Sequence, residues 1–193
     1  HPDAITGRLA GALHLVAKRT DNTLARMDTY SSAGLEGLFP APPEVPAAVV
    51  RRPRWRMGGW VGEDWSFPSA HEPLDAEHAF RVAKKYPEIG TVWAKRVAPE
   101  GRRARGSLLY IHGWLQPETP FEEFGLIWPL ARRLDLEVIQ MQPPYHGRRT
   151  PKSARFGGEL FWTADMVRSM ESVRQTVTDA RSLLSVMQAQ DGA

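Results

Sequence analysis

Residues 107–114 read SLLYIHGW and residues 136–147 read LEVIQMQPPYHG. Each stretch begins with a short apolar run bounded by turn residues, which is typical of a buried strand. Between them, residues 119–122 read TPFE, a helix start with threonine at the N-cap, proline at the first helical position and a glutamate able to reach back to the N-cap amide. The helix is predicted to end near Leu134. This pattern predicts a strand, a crossover helix and a second, parallel strand.

The rest of the chain is predicted to extend this unit. Apolar residues at helical spacing predict one helix from Asp3 to about Tyr30 and a long helix from Ala164 to Gln190. The prolines between residues 40 and 46 interrupt regular structure. We therefore expect an α/β fold with a doubly wound, mainly parallel sheet and an N-terminal helical extension. Its two parts are an N-terminal helix with a Pro-rich strap over residues 1–50 and the sheet domain over residues 51–193.

Composition limits the class of protein. The 193 residues are 42% hydrophobic and 24% charged, as expected for one globular domain. The absence of cysteine excludes disulfides, thiolate nucleophiles and cysteine-based zinc sites. No apolar run approaches the roughly 20 residues that a membrane span requires. We expect a cytoplasmic protein without a transmembrane segment, although a chain that begins at His1 leaves the true N-terminus open.

Two features raise the question of ligands. Basic residues bunch along the chain, but 22 acidic residues are scattered among the 25 basic ones and no nucleic-acid-binding motif is present, so we expect no nucleic-acid partner. The bunched residues are Arg51, Arg52, Arg54, Arg56, Arg102, Arg103 and Arg105. Three tryptophans, Trp55, Trp60 and Trp65, could form a ligand platform, but large aromatic side chains more often pack against the core, which we favour here.

The order of these motifs along the chain is similar to that of a known protein family. A strand running into His112-Gly113-Trp114, then a capped helix, a second strand and a proline, tyrosine, histidine and glycine turn, resembles the α/β-hydrolase family over roughly residues 88–192. The resemblance implies that residues 51–193 are the N-terminal part of such a domain. It also implies that the Trp114 amide forms half of an oxyanion hole, with Gly113 permitting a tight turn and His112 orienting the loop.

The resemblance further implies that Leu115, Tyr145 and His146 line the substrate cleft. No serine lies in the Gly-x-Ser-x-Gly frame of this family, and the family's base comes last in the chain, which excludes His146 from that role. The chain therefore contains no catalytic residue of the triad, and the nucleophile, acid and base are expected downstream of Gln190. The chain by itself is predicted to be inactive.

For the parent protein we expect a serine hydrolase that cleaves an ester or related acyl bond of a small-molecule or lipid substrate and needs no cofactor. The alternative is a non-catalytic ligand- or partner-binding protein on the same scaffold. A metal site built from His71, His78, His112, His146 and Glu159 is disfavoured, because the chain has no His-Glu-x-x-His helix and no cysteine ligand.

Overall fold

The computed structural model describes residues 22–41, 49–114, 116 and 120–191. In chain order the helices are α1 (22–32), α2 (Gly34–Leu38), α3 (Ala76–Lys85), α4 (Pro120–Glu122), α5 (Trp128–Leu134) and α6 (Met166–Asp191). The strands are β1 (Val50–Met57), β2 (Trp60–Pro68), β3 (Thr91–Pro99), β4 (Gly106–Ile111) and β5 (Leu136–Gln142). Short 3₁₀ turns cover Pro87–Gly90 and Gly147–Arg149, and a π-helical turn, Glu123–Ile127, joins α4 to α5. Most of the predicted N-terminal helix and the Pro-rich strap lie outside the described residues.

A hairpin formed by β1 and β2 was not anticipated. Gly58 and Gly59 both have positive φ, 58° and 74°, and Met57 pairs directly with Trp60 across them. A two-residue connection with positive φ at both positions matches the right-handed twist of antiparallel strands, and glycine adopts it without steric cost. The Gly-Gly pair therefore determines the hairpin locally.

The five strands form one mixed sheet in the order β1-β2-β3-β5-β4. Three neighbouring pairs are antiparallel, and only β4 with β5 is parallel. The expected doubly wound, mainly parallel sheet is therefore wrong, and so is the α/β-hydrolase-like fold that the resemblance implied. The crossover helix makes only β4 and β5 parallel, whereas β3 runs antiparallel to both of its neighbours.

The crossover unit itself is confirmed. β4 and β5 pair in parallel, with Leu108 opposite Val138, and the intervening helical segment runs without a break from Pro120 to Leu134. Asp135 then adopts a left-handed conformation with φ of 53°, which ends α5 and returns the chain to the sheet.

Helices cover both faces of the sheet. On one face α6 contributes Leu183, Val186 and Met187 to a core that contains Trp65 and Phe67. Successive strand residues point to opposite faces. On the other face, accordingly, Val97 and Val138 pack with Ile127 and Ala131 of the π turn and α5, together with Trp60. Trp60 and Trp65 are 6% and 1% exposed, which confirms that they pack in the core.

A buried carboxylate on α6 joins several elements. Glu171 accepts hydrogen bonds from Tyr30 Oη of α1 at 2.6 Å and from the backbone amide of Leu74 at 2.9 Å. His71 Nε2 lies 2.9 Å from Glu171 Oε2, and Arg174 forms an ion pair with the same oxygen at 2.6 Å. We call these residues the Glu171 network. It ties α1 and the segment after β2 to α6.

Candidate ligand site at the strand ends

The residues singled out in the sequence come together where β4 and β5 end. These two strands are the parallel pair, so their carboxyl ends lie at the same end of the sheet. His112 follows β4 directly, and Tyr145 and His146 lie in the turn after β5. We call His112, Trp114, His146, Gly158 and Phe161 the strand-end cluster.

The two histidines of the cluster are buried against each other. The rings of His112 and His146 are 5.0 Å apart and nearly perpendicular, and the ring of Phe161 lies 5.3 Å from His146. His146 Nδ1 donates a hydrogen bond to the carbonyl of Pro144 at 2.9 Å. Because a carbonyl can only accept, this bond places the proton on Nδ1 and leaves the lone pair on Nε2.

His146 is a neutral, incompletely bonded group. Burial lowers its pKa to about 4, against the opposing effect of the hydrogen bond to Pro144, while the neighbouring His112 also lowers it. At neutral pH the ring is therefore uncharged. Its Nε2 atom is buried and has no hydrogen-bond partner within the described part of the chain. Such atoms are rare in folded proteins and are found at functional sites.

A glycine holds the two strand-end turns together. Gly158 O accepts a hydrogen bond from Trp114 Nε1 at 3.0 Å, and Gly158 N donates to the carbonyl of Tyr145 at 2.7 Å. Gly158 has a φ of 88°, and a Cβ atom added there would lie 2.5 Å from His146 Nε2. Only glycine fits this position.

The amides of the β4 turn have different surroundings. Gly113 N donates to the side-chain oxygen of Gln116 at 3.2 Å, and His112 Nδ1 donates to the carbonyl of Gly113 at 3.0 Å. The backbone N–H of Trp114 donates to no residue that the structure describes. The Trp114 side chain is 52% exposed, so this turn meets solvent. The amide predicted to serve an oxyanion, that of Trp114, is thus the one of these two that no described residue accepts from.

Tyr145 differs from the expected cleft-lining residue in its surroundings. Its side chain is 1% exposed and packs at 5.7 Å against the ring of Tyr86, edge to face. Burial raises its pKa, and its hydroxyl has no hydrogen-bond partner among the described residues. Its φ of 65° is unusual for a residue with a side chain. Leu115 lies outside the described residues, and the cleft-lining roles of all three residues stay predictions.

The hydrogen bonds of Glu122 next to the β4 turn were not predicted from the sequence. Glu122 Oε1 accepts hydrogen bonds from Tyr110 Oη at 2.9 Å and from Gln116 Nε2, while Glu122 Oε2 accepts from Gln140 Nε2 at 2.7 Å. The capping-box position of Glu122 was the available signal. In the structure its carboxylate joins β4, β5 and Gln116 of the loop that follows Trp114.

The fold separates the members of the other candidate sites, apart from His112 and His146, which lie together in the strand-end cluster. His71 belongs to the Glu171 network and His78 lies buried on α3, and among the described residues no group of three or more histidine and acidic side chains could hold a metal ion. Trp55 donates its indole N–H to Glu123 at 2.7 Å and packs against Trp128, so its ring is part of the core boundary.

The residues described include no helix with the length and apolarity to cross a membrane.

Comparisons with known proteins add no family to this geometry. No protein-family model matches the chain, and no curated protein matches it significantly.

Proposed function

We propose that the protein hydrolyses an ester or related acyl bond of a small-molecule or lipid substrate. The strand-end cluster would supply the oxyanion-binding side of the site. The observation that carries the proposal is the Trp114 amide, which lies at the carboxyl end of a parallel strand pair and donates to no described residue. Its indole is held to Gly158, which limits movement of the turn.

The proposed chemistry uses this amide in the transition state. Attack of a hydroxyl nucleophile on the acyl carbonyl converts the carbonyl oxygen into an oxyanion, and an amide already in position stabilises it without reorganising. The ring of His146 is uncharged at neutral pH and packs against the ring of His112, which begins the turn. His112 donates to the carbonyl of Gly113, which belongs to the same peptide group as the Trp114 amide, so its proposed part is orientation rather than proton transfer.

The nucleophile and its base are proposed to come from outside this cluster. No serine of the sequence has glycine two residues before and two after it. Within the described part of the chain, no serine hydroxyl is hydrogen-bonded to a histidine ring. Residues 1–193 alone are therefore expected not to turn over substrate.

The test compares two substitutions at one position in the complete gene product. Trp114→Pro removes the backbone N–H, whereas Trp114→Ala removes the indole and keeps the N–H. With a p-nitrophenyl ester as substrate, Trp114→Pro is expected to lower kcat about 100-fold or more relative to Trp114→Ala. Circular dichroism of both variants controls for folding. Equal activities of the two folded variants would remove Trp114 from the oxyanion site.

A second candidate is ligand binding without catalysis at the same site. It is favoured by the lack of a nucleophile and base pair among the described residues. Labelling of the complete gene product by a serine-reactive fluorophosphonate, lost on prior incubation with substrate, would support hydrolysis. Absence of both labelling and ester turnover would leave ligand binding as the function.

A further inference from the structure

A cavity lined by arginines lies at the start of β4, at the opposite end of this strand from the strand-end cluster. It has a volume of about 330 Å³ and is bounded by Arg96, Arg102, Arg103, Arg105 and the start of β4. The six residues of β4 separate it from the strand-end cluster by roughly 17 Å, at about 3.3 Å per residue. It is therefore distinct from the proposed acyl site.

Two of these arginines are held by carboxylates. Arg96 forms ion pairs with Glu63 at 3.1 Å and with Glu137, and its guanidinium lies 5.4 Å from the ring of Trp65. Arg102 forms an ion pair with Asp135 at 2.7 Å. These contacts fix one side of the cavity before any ligand arrives.

The other two arginines have no carboxylate partner within the described part of the chain. Arg103 donates to the backbone carbonyl of Gln190 at 3.1 Å, which leaves most of its five N–H groups available. Arg105 donates its backbone amide to the carbonyl of Asp135 at 2.8 Å. The pKa of the Asp135 carboxyl is lowered mainly by Arg102 and to a smaller extent by the charge of Arg105, but Arg105 forms no ion pair with a described carboxylate. Glu137 is the carboxylate that lines the cavity among the described residues, and it already accepts from Arg96 and, at 3.2 Å, from Ser107.

We propose that this cavity binds the phosphate group of a small phosphorylated molecule. Two guanidiniums without carboxylate partners match the two charges of a phosphate monoester, and the planar fork of arginine fits phosphate oxygens in pairs. The volume is near the lower end of the range for small-molecule pockets, which favours a compact metabolite over a polymer.

The probe is phenyl phosphate at mildly alkaline pH, with phenyl sulfate as the singly charged comparison, titrated into the chain by calorimetry. We expect saturable binding of one phenyl phosphate, at least about tenfold tighter than phenyl sulfate. The double variant R103Q/R105Q is expected to weaken binding about tenfold or more, because two charge-assisted contacts are lost. R103K/R105K keeps the charge but loses the fork, so an intermediate affinity is expected.

The matched control is R52Q/R133Q, which removes the same charge from two exposed arginines outside the cavity. It is expected to bind phenyl phosphate within about twofold of the unaltered chain, since distant exposed charges are screened by salt. Three results would overturn the proposal. They are no saturable binding to the unaltered chain, equal losses in the cavity and control variants, or tighter binding of a single-stranded oligonucleotide that both variants weaken equally.

Discussion

The Glu171 network and the strand-end cluster both bury polar side chains but differ in how those groups are bonded. Glu171 is 1% exposed, and each of its oxygens has partners, Tyr30 and the Leu74 amide at one and His71 and Arg174 at the other. In the strand-end cluster, His146 Nε2 is buried without a partner among the described residues. The comparison separates a fully bonded polar group, which holds helices together, from a buried ring atom that no described residue hydrogen-bonds.

The pKa values follow the same division. Burial opposes ionisation of Glu171, but hydrogen bonds from His71 and Tyr30 and the charge of Arg174 outweigh it and lower its pKa to about 2. In His146, burial is not outweighed, and the pKa falls to about 4. Glu171 is thus kept charged by its partners, whereas His146 is kept neutral by its surroundings.

The largest effect is expected from breaking the Glu171 network. Glu171→Ala leaves the buried Arg174 without its carboxylate and should lower the free energy of unfolding by about 3–5 kcal/mol. The control is Glu77→Ala, which removes an exposed carboxylate paired with Arg26 and Arg81 and should cost less than about 1 kcal/mol. Urea denaturation measures both variants. Similar losses in the two would mean that Glu171 contributes no more than a surface ion pair.

The next effect is a loss of stability on mild acidification. His146 has a pKa of about 4 when folded, against about 6.5 when unfolded, so the unfolded chain binds the extra proton between these values. The contribution of His146 to stability is therefore complete above pH 6.5 and is lost as the pH falls towards 4, by roughly 2–3 kcal/mol. Glu171 loses its contribution lower, as the pH falls from about 4.5 towards 2.

The substitution His146→Phe isolates the contribution of His146 to the pH dependence of stability. Burial also lowers the pKa of His78, so the readout is the difference in pH dependence between the unaltered chain and the variant. The variant should show a flatter urea midpoint between about pH 6.5 and 4.5. Parallel curves for the two proteins would exclude a depressed His146 pKa.

The smallest effect tests the close packing of the strand-end cluster. Gly158→Ala introduces a methyl group 2.5 Å from His146 Nε2 at a φ of 88°. The control, Gly34→Ala, has a φ of 64° and nothing within 4 Å of the added atom, so it carries only the backbone cost of about 1 kcal/mol. Gly158→Ala should cost about 1–2 kcal/mol more than the control in thermal unfolding. Equal costs would show that the cluster has room beside His146.

Part of the candidate site could be predicted from the sequence. His112 and His146 each follow an apolar strand, and a crossover helix between the strands makes them parallel neighbours, so their side chains meet at one end of the sheet. Gly158 and Phe161 could not be predicted, because residues 150–165 have no periodic pattern that would position them. Glu122 was recognised as part of a helix start, but its contacts with two strands depend on the folded chain.

Some features of the fold also have a local signal in the sequence, and others do not. The Gly58-Gly59 pair between two runs that contain alternating and aromatic residues is a hairpin signal that the sequence carries, and it would have corrected the expectation of a parallel sheet. The direction of β3 has no such local signal. It is determined by hydrogen bonding to β2 on one side and β5 on the other.

By itself, the sequence determined the local elements: the two apolar strands, the helix between them, the long α6 and the turn that carries Trp114. Tertiary structure alone decided the sheet order, the antiparallel majority, the partners of Glu171 and the close approach of Gly158 to His146. The physical reason is that periodicity and helix-start residues act over a few neighbouring positions. Strand direction and the bonding of buried polar groups depend on which distant backbone and side chains are present after folding.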